Sequence, residues 1–128
     1  MLIITARVYV CESDKLDALK KLLEYDPYLD KSLNEEDLAR IKKDEEANII
    51  FARQDYLLKD GAALNLDRDK YYLYLSATDE FLEKAERKLK KEIDGIEEAD
   101  KETEDRIIST IEEERKESEQ GLGLIFGG

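Results

Sequence analysis

Residues 2–11 read Leu2-Ile3-Ile4-Thr5-Ala6-Arg7-Val8-Tyr9-Val10-Cys11, and their alternation is the key to the architecture. Leu2, Ile4, Ala6, Val8 and Val10 fall on one side of a period-two pattern, and Ile3, Thr5, Arg7, Tyr9 and Cys11 on the other. That pattern predicts a β-strand with one buried face. Ser13 or Asp14 is placed to cap a helix directly after it, in which Leu16, Leu19, Leu22 and Leu23 line one side. The helix is expected to end near Asp26, because Pro27 disfavours a helical conformation in the residue before it.

Beyond this unit the punctuation is regular. Asn34, with Asp37 three residues on, marks the start of a short second helix running to about Lys43. Ala47 to Leu58 reads as a second strand, and the Asp60-Gly61 pair as a reversal. Tyr71 to Ala77 is the third strand, and Thr78 caps a helix whose Leu82, Ala85, Leu89 and Ile93 share a side. Asp94-Gly95 ends that helix. Two segments compete for a fourth strand, the short Ile96–Ala99 and the terminal Leu122–Phe126. Between them a helix from about Glu102 to Gln120 carries a single apolar cluster, Ile107, Ile108 and Ile111.

The expected class is therefore α+β, a ferredoxin-like βαββαβ arrangement with an antiparallel sheet and helices on one face. To it are added a short extra helix after the first and an acidic C-terminal helix followed by a terminal strand or tail. With 128 residues the chain fits one domain, with its core in 1–99, the acidic helix in 100–120 and an apolar, glycine-rich segment in 121–128.

Composition excludes more than it identifies. The formal net charge is −12, so the overall field repels phosphate backbones and anionic membranes and favours basic partners. Glu97 to Glu119 contains 11 acidic and 4 basic residues, a balance of −7. No run approaches a membrane span, and Met1-Leu2-Ile3-Ile4 lacks a basic n-region, which points to the cytoplasm. The chain has no histidine and one cysteine. A Ser-His or Cys-His pair is thus impossible within it, and catalysis would fall to carboxylates, lysines, tyrosines or one thiol. The charged fraction of 42% with few Asn and Gln resembles heat-tolerant compositions.

Candidate sites are few. Cys11 lies where a strand meets a helix, a place that favours a reactive thiol, while Glu12 and Asp14 oppose its ionisation; it reads as a half-buried structural cysteine, with reactivity the alternative. Asn65-x-Asp67-x-Asp69 departs from a calcium loop at Lys70 and Ser76, so it reads as a polar turn and no metal is expected. Tyr9, Tyr72 and Tyr74 are candidates for a tyrosine-bearing sheet face that meets a partner. Leu122, Leu124 and Phe126 alternate as the inward face of a strand, which would pack on this sheet or pair with another chain.

The final Gly127-Gly128 resembles the diglycine terminus of ubiquitin-like modifiers and sulfur carriers. That resemblance covers these two residues, and it implies a β-grasp fold with a terminal carboxylate that is adenylated and then joined to a thiol or amine. A chain that opens with a strand and then a helix departs from the β-grasp opening. The expected function is a non-enzymatic interaction or regulatory domain acting in an oligomer or larger assembly, with protein partners and no cofactor. A small carrier or ligand-binding protein, using Gly-Gly or an open sheet face, is the alternative.

Overall fold

The computed structural model describes the backbone of residues 3–126 and the side chains of residues 3–118. The strands are β1 (Ile4–Glu12), β2 (Asp55–Asp60), β3 (Lys70–Thr78) and β4 (Glu97–Glu98), in the sheet order β2-β3-β1-β4. Every neighbouring pair is antiparallel. The helices are α1 (Leu16–Glu24), α2 (Glu35–Lys43), α3 (Asp79–Glu92) and α4 (Lys101–Phe126). The chain is thus α+β with a four-stranded antiparallel sheet.

Local chemistry explains most boundaries. Asn34 and Asp37 form a reciprocal capping box at α2, and the Thr78 hydroxyl accepts the Phe81 amide at the start of α3. α3 ends at Glu92 with Ile93 extended as its cap, and Gly95 lies in the turn that follows at φ 82°, where a side chain would be strained. The cap expected at Ser13 or Asp14 is not used, because residues Ser13–Lys15 form a 3-10 turn and α1 begins without a side-chain cap. The expected strand from Ala47 starts later. Phe51–Arg53 is a 3-10 turn, and ladder pairing begins at Asp55 opposite Ser76.

Two apolar layers sandwich the sheet. On one face Tyr9, Cys11, Leu73, Leu75 and Ala77 pack with residues of α1 and α3, such as Leu19, Leu23, Leu82 and Leu89. On the other, Val8, Tyr72 and Tyr74 pack against Ile107 and Ile111 of α4. Helices on one face only is therefore corrected: α4 covers the second. Its Ile107 and Ile111 are fully buried, so the core extends past residue 99.

The expectation of a terminal strand is also overturned, since α4 runs through Gly121 to Phe126. β4 already occupies the sheet position beside β1. Glycine disfavours a helix by only about 1 kcal/mol relative to alanine, so Gly121 and Gly123 do not oblige it to stop. The side chains of Leu122, Leu124 and Phe126, and all of Gly127 and Gly128, lie outside the described residues.

Candidate interaction edge

β4 spans only two residues and pairs with Tyr9 and Val10 of β1. One step further along β1, Val8 still has partners: its carbonyl accepts the Ala99 amide, and its N–H donates to the Glu104 carboxylate at 2.9 Å. In an antiparallel ladder the N–H and C=O of one residue point to the same side, and successive residues alternate. Since Val8 faces β4, Ala6 and Ile4 face the same side, where no strand follows. Among the described residues nothing hydrogen-bonds these outward groups. Next to them, Ile3 and Ile4 are 70% and 60% exposed, whereas Val8 is wholly buried.

The opposite sheet edge is differently built. β2 carries Asp55, Lys59 and Asp60, and two of these are tied to α4. Arg115 forms a two-pronged pair with Asp55 at 2.8 and 3.1 Å, and Lys59 meets Glu114 at 3.2 Å. Charged side chains on an edge deter pairing with another chain. The first half of β1 carries Arg7, whose backbone turns toward β3, while Ile4 and Ala6, which face outward, are uncharged. A shallow groove of about 410 Å³, lined by Ile4, Asp55, Ser76, Thr78 and Phe81 among others, lies on the β3 side of Ile4, away from this edge.

Carboxylates flank the edge on the α3 face of the sheet. The Thr5 hydroxyl donates to Asp79 at 2.7 Å, the Tyr9 hydroxyl donates to Glu86 at 3.2 Å, and Glu98 lies opposite Tyr9. On the α4 face Glu104 is buried. Burial pushes its carboxyl above the usual range, Glu98 adds to that, and the Val8 amide pulls the other way.

The residues singled out by sequence are placed as follows. Tyr9 is buried under α3, and burial pushes its phenol up. Tyr72 and Tyr74 lie on the opposite face beneath α4, so the three do not share an open sheet face. Cys11 is buried, and desolvation, then Glu12 and Asp14, raise its thiol, which is the setting of a structural cysteine. Among the described residues no cluster of three or more acidic or thiol groups is arranged to hold a metal. Among the described residues no helix is long and apolar enough to cross a membrane.

Two features escaped the sequence reading. Glu104 stands three and seven residues before Ile107 and Ile111, on the same helical stripe, and a lone carboxylate in an apolar stripe is the signal that would have found it. Lys88, half-buried on α3, donates to the carbonyls of Glu46 and Ile49 at 3.1 and 3.0 Å, and burial lowers its pKa. It anchors the loop before β2. The neighbouring cleft of about 330 Å³ sets Lys42, Lys43 and Lys84 among Asp44, Glu45 and Glu80, so its charges largely offset one another.

Comparison with family models, curated proteins and solved structures gives no match to this chain.

Proposed function

We propose that this chain is a non-enzymatic protein-interaction or regulatory domain of ferredoxin-like type that works within an oligomer or larger assembly. The strand order, the antiparallel neighbours and the packing of α1 and α3 on one face support the fold type. One observation carries the function: β1 has an open edge from Ile4 to Arg7, whose outward-facing residues Ile4 and Ala6 are uncharged, with Ile3 and Ile4 exposed beside it. An extended segment from another chain adds to such an edge by main-chain hydrogen bonds. The carrier or ligand-binding alternative would use Gly127 and Gly128, outside the described residues, or an open sheet face, and both faces of this sheet are packed by helices.

Affinity capture from the native cell, with light scattering on the purified protein, tests the proposal. A specific partner or a defined oligomer is expected, and Ile4→Lys, which places a charge on the edge without touching the core, should abolish it. A strict monomer at high concentration that captures nothing, or capture indifferent to Ile4→Lys, contradicts the reading.

A further inference from the structure

We infer that the open edge of β1 accepts an extended segment of another protein in which basic and aliphatic side chains alternate. The inference rests on the interaction reading above and supplies the partner's chemistry. Ile4 and Ala6 each turn an N–H and a C=O outward, so the occupant must be extended to meet both. In an added strand the side chains alternate between the two sheet faces. On the α3 face they would run beside Thr5, Arg7 and Tyr9, where Asp79 and Glu86 are hydrogen-bonded and Glu98 stands opposite Tyr9. Glu83 is exposed one turn after Asp79, with Arg87 a turn further on; the other nearby cations are Arg7, beside Glu98 and Glu86, and Lys90, 3.9 Å from Glu86. The balance is negative and calls for lysine or arginine. On the α4 face the neighbours are Ile4, Ala6 and Val8, which call for aliphatic side chains.

A second copy of this chain is the poorer occupant. Pairing β1 with itself would bring Asp79, Glu86 and Glu98 of two chains together, each chain already at −12. Like charges set close across an interface oppose association.

The test uses the full chain and three short capped peptides: alternating lysine and valine, the same sequence N-methylated at every second residue, and alternating glutamate and valine. Amide hydrogen exchange is read at Ile4 and Ala6. The lysine peptide should slow exchange at Ala6 by about tenfold or more at saturation, as expected for an amide entering a ladder. Raising the salt should weaken the effect, and the other two peptides should leave Ala6 unchanged. Equal protection by the N-methylated peptide, which has the same charge, would reduce the effect to general attraction and overturn the inference. So would protection by the glutamate peptide, or protection that grows with protein concentration alone, which would indicate self-pairing. Partner capture that depends on Ile4 while the lysine peptide fails to protect Ala6 overturns the basic-strand inference and leaves the interaction domain standing.

Discussion

Glu104 of α4 accepts the backbone N–H of Val8 of β1 at 2.9 Å, so a buried side-chain carboxylate completes the ladder where β4 ends. This contact divides β1 into a covered half, from Val8 onward, and an open half before it. It also fixes the start of α4 against the sheet.

Replacing Glu104 separates its roles as hydrogen-bond acceptor and as charge. Glu104→Ala leaves the Val8 amide buried without a partner and should cost about 1–3 kcal/mol in urea unfolding. Glu104→Gln keeps an acceptor and removes the charge beside Glu98. Because the folded carboxyl lies above the ordinary 4.5, its stabilising share is full below that value and is lost as pH rises through the folded value. The stability of Glu104→Gln relative to wild type should therefore improve from about pH 4 to 8. A difference that does not change with pH contradicts this role.

Arg115 ties the middle of α4 to the sheet, pairing with Asp55 and standing 5.4 Å from the centre of the Tyr74 ring. Both ends of the ion pair are partly exposed, so Arg115→Ala should cost only about 1 kcal/mol at neutral pH, cation–π contact included. The Arg115 hydrogen bond holds the Asp55 carboxyl below its ordinary 3.8. That stabilisation is present above 3.8 and is lost as pH falls through the folded value. The penalty of Arg115→Ala should shrink in acid, as read from denaturation midpoints; a penalty that grows in acid would contradict the pairing.

If α4 is part of the fold, its isoleucines behave as core residues. Ile111→Ala should lower stability by about 2–5 kcal/mol, in the range for a fully buried aliphatic side chain. Glu113→Ala, on the exposed part of the helix, should change it by less than about 0.5 kcal/mol. Equal effects of the two changes would mean that α4 does not pack on the sheet.

Gly61 is required for close approach rather than for an unusual backbone angle. Its φ is −55°, open to any residue, yet an added Cβ would lie 1.8 Å from the Asp67 carbonyl oxygen and 2.9 Å from that of Lys70. Gly61→Ala should cost about 1–3 kcal/mol or more, as overpacking against backbone does. Gly95→Ala meets no atom and carries only backbone strain at φ 82°, costing about 1–2 kcal/mol. Calorimetry on both variants checks the order.

Elements carried by local chemistry were legible in the sequence. The alternation of β1, the Asn34–Asp37 box, the Thr78 cap and the Gly95 turn after α3 all act within a few residues. What was hidden depends on distant partners. Ile49-Ile50-Phe51 is apolar enough for a strand, but its run is held as loop and 3-10 turn, with Lys88 bonded to the Ile49 carbonyl 39 residues away. The isoleucine cluster marks where the first half of α4 packs, but the ion pairs from Glu114 and Arg115 to β2, which extend that contact across the sheet, join residues about 55–60 positions apart and leave no local signal. In the tail, Leu122, Leu124 and Phe126 alternate, but Leu122, Ile125 and Phe126 also fit a helical face. So short a run does not separate the two periods. The candidate edge was invisible because it consists of backbone groups left unpaired by the shortness of β4.

Amide hydrogen exchange on the free protein tests the central claim most directly. Val8, bonded to Glu104, should exchange slowly, while Ala6, two residues earlier on the same side of the strand, should exchange at close to the rate of an unprotected amide. An Ala6 amide as well protected as Val8 would mean that the edge of β1 is already covered, and would contradict the account.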